Sequence, residues 1–154
     1  MEKRGEFMTT VIKFISTGGY SGYSPIAPGT AGSIVGIFIY IFIFRLNPPL
    51  YLLLIVFVVM IGVWSSGEAE EIFQKKDSQE IVIDEIAGML ISLFLLPHGF
   101  FIIFSGFLIF RIIDIVKPFY ILEGLPHGFG VMMDDVAAGI STNLIVRTFL
   151  FLTS

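Results

Sequence analysis

Residues 33–64 read SIVGIFIYIFIFRLNPPLYLLLIVFVVMIGVW. Two apolar runs lie on either side of the Asn-Pro-Pro sequence at residues 47–49. A helix ends there, because proline has no amide hydrogen to donate and disfavours helical backbone in the residue before it. The stretch therefore predicts two membrane helices, over residues 33–46 and 50–64, that meet at a turn.

The next part of the chain continues this alternation of apolar runs and polar breaks. Residues 65–80 are strongly charged and predict a loop. Residues 86–113 would form a helix of about 42 Å, which is longer than a hydrocarbon core of about 30 Å. We therefore place a tight turn at residues 97–99 (Pro-His-Gly), which divides this run into a third and a fourth helix.

The two ends of the chain complete the predicted fold. Residues 1–20 have no apolar core long enough for a signal peptide and suit a short amphipathic helix in the membrane interface. A fifth apolar run covers residues 131–152, where Asn143 and Arg147 are the strongly polar interruptions, and we expect Arg147 to reach the outer interface. The predicted fold class is all-α: a polytopic membrane helical bundle of about five short transmembrane helices plus an N-terminal interfacial helix, in one domain over residues 1–154.

The composition agrees with this membrane class. Of the 154 residues, 55% are hydrophobic and 14% are charged, and the mean hydropathy is +0.90. A soluble domain would need more polar surface, since about 25% of the residues in ordinary globular domains are charged. The net charge of -4 gives no basic surface for nucleic acid. The lack of cysteine excludes disulfides, thiolate metal sites and a cysteine nucleophile.

The placement of charge predicts the topology. With five spans, the N-terminus, residues 65–85 and residues 111–135 share one side of the membrane. Seven of the nine cationic residues and all thirteen carboxylates fall on that side, which we expect to be cytoplasmic. Ionisable groups at membrane depth are costly and are therefore candidates for function. Those at the predicted helix junctions are Asp84, Glu85, Arg111, Asp114, Asp134 and Asp135.

A loop rich in glycine, proline and hydroxyl groups precedes the first helix, with the sequence SGYSPIAPGTAGS at residues 21–33. Backbone amides at such a helix start bind phosphate well, and glycines allow a ligand to approach closely. The alternative is a simple turn in which Thr30 or Ser33 caps the helix.

Two acidic pairs occur at predicted helix starts, in DEIAG at residues 84–88 and in GFGVMMDDVAAG at residues 128–139. One such pair is ordinary, because carboxylates complement the positive end of a helix dipole. Two pairs on one membrane face, without lysines beside them, suit a hard cation such as Mg²⁺ that takes carboxylate and phosphate oxygens together. Adjacent helical residues do not share a face, so we expect one member of each pair to bind metal and the other to cap the helix or position water.

The end of the fourth helix carries cations at helical spacing. Arg111, Asp114 and Lys117 are three residues apart and fall on roughly the same face. The planar guanidinium of Arg111 matches a phosphate bidentately, whereas Lys117 is either a second phosphate ligand or an interfacial anchor. His127 is either a general acid or a loop histidine, and His98, on the opposite side, is interpreted as structural.

Four segments together resemble the phosphatidylglycerophosphatase A family: SGYSPIAPGTAGS, DEIAG, FRIIDIVKP at residues 110–118, and GFGVMMDDVAAG. They occur in the family's order and cover the chain from about residue 15 to 140. The resemblance implies hydrolysis of the phosphomonoester of phosphatidylglycerophosphate to phosphatidylglycerol and inorganic phosphate. It also implies dependence on Mg²⁺ and a bacterial cytoplasmic membrane, whereas the cytoplasmic face of the active site is predicted from the placement of charge.

The metal roles are hypotheses laid over this resemblance. Asp84, Asp134 and Asp135 would hold Mg²⁺, and Glu85 or Asp114 would orient water or complete the metal's ligands. The attacking group is either water or an aspartate that forms a phosphoenzyme.

The phosphate roles complete the predicted site. Arg111 and Lys117 would bind the phosphate, with support from the backbone of Gly29 and Thr30 and with His127 as a further candidate. Three alternatives remain: another lipid phosphatase or phosphotransferase, a small transporter, and a structural lipid-binding protein. The sequence does not indicate the oligomeric state.

Overall fold

The computed structural model describes residues 2–118, 122 and 125–153, and of residues 2–4 only the backbone. The described residues form six α-helices and a short 3₁₀ turn, with no β-strand among them, so the all-α prediction is confirmed. The helices are α1 (Glu2–Ser16), α2 (Pro28–Ile43), α3 (Pro48–Phe73), α4 (Ile83–Ser92), α5 (Phe100–Val116) and α6 (Phe129–Thr153).

The helix boundaries agree with the strongest sequence signals. The turn between α2 and α3 lies at the predicted proline break, where the side chain of Asn47 accepts a hydrogen bond of 3.0 Å from the backbone amide of Leu50. The predicted loop over residues 65–80 was wrong in its first part, because α3 continues to Phe73. This extension is held by tertiary packing, since Ser65, Ser66 and Ala69 on its inner face are fully buried.

The helix α4 lies at the centre of the bundle and contacts α2, α3, α5 and α6. Met89, Leu90 and Leu93 are at most 1% exposed. Close contact with α6 depends on glycine, because a Cβ atom on Gly139 would lie 2.6 Å from the carbonyl oxygen of Gly88. Small residues at a helix crossing bring two backbones together in this way.

Among the residues that the structure describes, two helices are long and apolar enough to cross a membrane. The most apolar windows of α3 and α6 have mean hydropathies of 2.3 and 1.5, and only 28% and 22% of their residues are buried within the protein. Most of this apolar surface therefore faces outward, as at Phe57 and Phe149, which are 60% and 65% exposed. Water would penalise such a surface, whereas lipid would not, so the protein associates with a membrane.

The prediction of about five transmembrane helices is not confirmed. The helix α2 is apolar but has 16 residues, α5 has 17 and α4 has 10. At 1.5 Å per residue, α4 is only about 15 Å long, half of a hydrocarbon core. The helix α1 contacts α3, buries Ile12 and leaves Phe7 and Phe14 exposed.

Candidate active site

A cavity of about 610 Å³ opens at one end of the bundle, where α2, α4 and α6 begin and α5 ends. Sites of this size accommodate small molecules and lipid headgroups. Eight of the ten sequence-predicted site residues line it: Gly29, Asp84, Glu85, Arg111, Asp114, Lys117, Asp134 and Asp135. The other two, Thr30 and His127, are not among the lining residues.

Three carboxylates form what we call the acidic cluster: Asp84 and Glu85 from the first turn of α4, and Asp135 from α6. One oxygen of each lies within 4.8 Å of the others. The two helices bring them together through a close contact, since a Cβ on Gly88 would lie 3.0 Å from the carbonyl oxygen of Asp135. The cluster thus contains Glu85, which the sequence analysis placed in a supporting role, alongside Asp84 and Asp135. Asp134 also lines the cavity, with its Oδ2 4.0 Å from Nζ of Lys117.

The acidic cluster has the donor set of a hard-cation site. Oδ1 of Asp84, Oε2 of Glu85 and Oδ2 of Asp135 are buried and have no hydrogen-bond partner within residues 2–118, 122 and 125–153. Buried unpaired carboxylate oxygens are costly, and three carboxylates this close together also repel one another. A divalent cation would take one oxygen from each carboxylate at once, so these residues fit Mg²⁺.

The guanidinium of Arg111 lies beside the acidic cluster. Its Nη1 donates to Oδ2 of Asp114 at 2.5 Å and lies 3.8 Å from Oε1 of Glu85. Its Nε is buried without a partner among the described residues, and the side chain is 15% exposed. Asp114 therefore orients a guanidinium that keeps free donor capacity next to the cavity, which suits a phosphate ligand.

The first turn of α2 lies close to Glu85 and Arg111. A Cβ on Gly29 would lie 2.2 Å from Oε1 of Glu85 and 3.0 Å from both terminal nitrogens of Arg111. Because glycine has no Cβ, Glu85 and Arg111 can keep these positions beside the backbone of α2. The alternative prediction, that Thr30 or Ser33 caps α2, was wrong: α2 begins at Pro28, so both residues lie inside the helix, and no side chain caps it.

Lys117 joins the site to a loop that the sequence analysis did not include. This residue ends α5 in a left-handed conformation, and its Nζ lies 3.4 Å from Oδ2 of Asp77. Five residues of the loop between α3 and α4 also line the cavity: Lys75, Asp77, Ser78, Gln79 and Ile81. Their proximity in sequence to Asp84 was the available signal, but strong charge alone had suggested only a solvated loop.

The two histidines, His98 predicted as structural and His127 as either a general acid or a loop residue, lie in different surroundings. The ring of His98 stacks on that of Phe44, with centroids 3.8 Å apart, at the end of α2 remote from the cavity. His127 is exposed and has a positive φ of 52°. Its backbone packs against α3, because a Cβ on Gly67 would lie 3.1 Å from the carbonyl carbon of His127.

The fold and the site together define a class. This is an all-α membrane-associated protein in which buried carboxylates, a guanidinium and an ammonium group share one cavity, a set of groups that fits phosphoryl chemistry on a lipid phosphate. The family model described as phosphatidylglycerophosphatase A matches residues 14–150. The chain therefore belongs to the phosphatidylglycerophosphatase A family and is a phosphatase, which confirms the resemblance carried by the four motifs.

Individual relatives agree with this assignment. The chain is 38% identical over 130 residues to phosphatidylglycerophosphatase A of Escherichia coli, covering 82% of this chain and 76% of that protein. It is 32% identical over 140 residues to phosphatidylglycerophosphatase A of Haemophilus influenzae, covering 88% and 86%. It is also 36% identical over 154 residues to a putative phosphatidylinositol-3-phosphatase of Bacteroides thetaiotaomicron, covering 94% of each. No solved structure matches the chain.

Proposed function

We propose that this protein hydrolyses the terminal phosphomonoester of phosphatidylglycerophosphate, giving phosphatidylglycerol and inorganic phosphate, with Mg²⁺ as its cofactor. Family membership and the two relatives named phosphatidylglycerophosphatase A support the substrate. The observation that carries the chemistry is the set of three buried, unpaired carboxylate oxygens beside the guanidinium of Arg111.

The acidic cluster and Arg111 would have different roles in catalysis. Asp84, Glu85 and Asp135 would hold Mg²⁺, which would supply charge neutralisation and a more acidic bound water. Arg111 would bind two phosphate oxygens in a fork, in an orientation set by its hydrogen bond to Asp114.

Lys117 and the backbone of Gly29 would also contribute to substrate binding. Lys117 would contribute a second positive charge, with its ammonium group held near Asp77 and Asp134. The backbone at Gly29 would approach the phosphate because no side chain intervenes there. The attacking group is either water or an aspartate of the site.

The proposed topology is multi-pass, with the cavity on the cytoplasmic side of a bacterial membrane. The excess of cationic residues near this end of the bundle supports that orientation. The apolar residues of α3 and α6 that face outward support the crossing. The helix α1 would lie in the interface, with exposed Phe7 and Phe14 towards the lipid.

A second substrate is suggested by the relative from Bacteroides thetaiotaomicron, whose name is that of a putative phosphatidylinositol-3-phosphatase. Both lipids carry a phosphomonoester on a headgroup, so the same cavity chemistry serves either one. Transport is a weaker alternative, because the polar cavity lies at one end of the bundle and not at the midplane.

The experiment measures phosphate release by the purified protein in detergent micelles. Phosphatidylglycerophosphate, phosphatidylinositol 3-phosphate and soluble glycerophosphate are compared, each with Mg²⁺ and with chelator. We expect release from phosphatidylglycerophosphate that requires Mg²⁺. Preference for the inositol lipid would support the second substrate, and release that survives chelation would refute the metal role.

The variant D135N tests the acidic cluster. Loss of an outer partner of a metal ligand costs about 10- to 100-fold, so loss of a ligand should lower turnover by at least about 100-fold. The matched control is E68Q, because Glu68 is an exposed carboxylate on α3 that does not line the cavity. Near-normal activity of D135N would remove Asp135 from the metal site.

A further inference from the structure

The helices α4 and α6 run side by side from the cavity in the same direction. Three pairs of neighbouring residues along them are each 51 positions apart in the sequence. Asp84 and Asp135 meet at the cavity within the acidic cluster. One turn further, a Cβ on Gly139 would lie 2.6 Å from the carbonyl oxygen of Gly88. After another turn, Nδ2 of Asn143 lies 3.0 Å from the carbonyl oxygen of Ser92. The two acidic motifs are thus the near end of one continuous helix contact.

The far end of that contact is a set of hydrogen bonds to carbonyl oxygens of the last two residues of α4 and of Phe94, which follows the helix. A helix leaves its final carbonyl groups without partners in the helix, and lipid offers none. The two N–H groups of Nδ2 of Asn143 face the carbonyl oxygens of Ile91, Ser92 and Phe94 at 3.3, 3.0 and 2.8 Å, so one N–H is shared between two of them. Nη2 of Arg147 donates to the same oxygen of Phe94 at 2.9 Å. We call Asn143 and Arg147 the α4 cap.

The two side chains of the α4 cap also hold each other. Nε of Arg147 donates to Oδ1 of Asn143 at 2.7 Å. Because arginine can only donate, this bond requires the Asn143 oxygen to face Arg147 and its amide nitrogen to face α4. The expectation that Arg147 simply extends to the outer interface was therefore incomplete: the side chain is exposed, but its guanidinium binds the carbonyl oxygen of Phe94, two residues after the end of α4.

We propose that Asn143 and Arg147 are positioning residues for the phosphatase site. By binding the end of α4 from α6, they set the axial register of the two helices and so hold Asp84 and Glu85 against Asp135. The inference rests on the proposed metal role of the acidic cluster. A slip of one residue moves a helix by about 1.5 Å, whereas metal–ligand distances tolerate about 0.2 Å. A small axial displacement at the cap would therefore dismantle the metal site two turns away.

The test uses N143D, which keeps the size of the side chain and an acceptor for Arg147 but removes the donors to α4. Binding of Mn²⁺ alone, without lipid, is followed by electron paramagnetic resonance, since carboxylate sites for Mg²⁺ also take Mn²⁺. We expect the Mn²⁺ dissociation constant to rise at least about 10-fold, in the range for outer partners of metal ligands. In the phosphatase assay kcat should fall by a similar factor, while KM for the lipid at saturating Mg²⁺ stays within about twofold.

The matched control is T148V on the same helix, where the hydroxyl donates to the carbonyl oxygen of Leu144 within α6. It should leave Mn²⁺ affinity and kcat unchanged. A folded N143D protein with unchanged Mn²⁺ affinity would overturn the proposal. If N143D does not fold, R147A is tested by the same measurements of Mn²⁺ affinity and kcat. Both should fall, but by less than expected for N143D, because the Asn143 bonds to α4 remain. Unchanged Mn²⁺ affinity in folded R147A would then overturn the proposal.

The outcomes also separate this proposal from the proposed function. A wild-type protein that binds Mn²⁺ but releases no phosphate from any lipid would refute the phosphatase substrate and leave the α4 cap testable by Mn²⁺ binding. A wild-type protein that binds no Mn²⁺ would overturn the metal role and the positioning role together. Lipid hydrolysis with a normal N143D variant would refute the positioning role alone.

Discussion

The substitution G29A tests the closest approach in the site. The added Cβ would lie 2.2 Å from Oε1 of Glu85, whereas ordinary contacts begin near 3.4 Å, so the carboxylate must retreat by 1.2 Å. Misplacement of a catalytic group by about 1 Å costs about 100-fold in rate, which corresponds to about 2.7 kcal/mol of transition-state stabilisation. We therefore expect kcat for lipid phosphate release to fall about 100-fold.

Stability should respond differently from activity in G29A. The atoms that meet the new methyl group are the flexible ends of Glu85 and Arg111, which can move without shifting the backbone. Alanine also favours a helix over glycine by about 1 kcal/mol. The midpoint of thermal unfolding in detergent should therefore stay near that of the wild type. This separation of activity from stability distinguishes a blocked site from a damaged fold.

The matched control for G29A is G5A, the same exchange in a helix where a Cβ would meet nothing within 4 Å. Both variants are assayed for kcat on phosphatidylglycerophosphate micelles and for thermal unfolding in the same detergent. G5A should match the wild type in kcat, and its unfolding midpoint should lie at or a few degrees above that of the wild type, because alanine favours the helix by about 1 kcal/mol. If folded G29A kept more than about half of the wild-type kcat, the close approach of α2 to Glu85 would have no catalytic importance.

Three other substitutions probe different parts of the bundle. R111K keeps the charge but loses the fork held by Asp114, so KM for the lipid should rise at least about 10-fold, and an unchanged KM would exclude bidentate phosphate binding. G139A places a Cβ 2.6 Å from the rigid carbonyl of Gly88; overpacking of about 1–3 kcal/mol should lower the unfolding midpoint by about 2–12 °C in a thermal melt. T142V removes a buried hydroxyl with no partner among the described residues and should raise that midpoint by about 2–4 °C, with a decrease counting against an unsatisfied hydroxyl.

Local chemistry explains which elements could be predicted from the sequence. The turn at Asn47 follows from proline, and the helical class follows from apolar runs that need internally satisfied backbone. The continuation of α3 to Phe73 was missed, because the charges of this segment resemble those of a loop. These residues are helical because Ser65, Ser66 and Ala69 are buried within the bundle. The local sequence pattern does not show that burial.

In the candidate site too, some residues could be predicted from sequence motifs, whereas others depend on tertiary contacts. Eight of the ten predicted residues line the cavity because their motifs lie at helix ends that meet on one side of the bundle. Thr30 does not line it, because α2 begins two residues earlier, at Pro28. Asp77 was missed because its place beside Lys117 depends on a contact 40 residues away in sequence.

By itself, the sequence determined the all-α class, the association with a membrane, the family and the acidic motifs, since each depends on composition, short-range pattern or motif order. Only the tertiary structure decided that Glu85 joins Asp84 and Asp135, that Gly29 touches the site, and that Asn143 and Arg147 bind the end of α4. Those relations are distances between separate helices. They are set by the register in which the helices pack, which is a property of the whole bundle and not of any one segment.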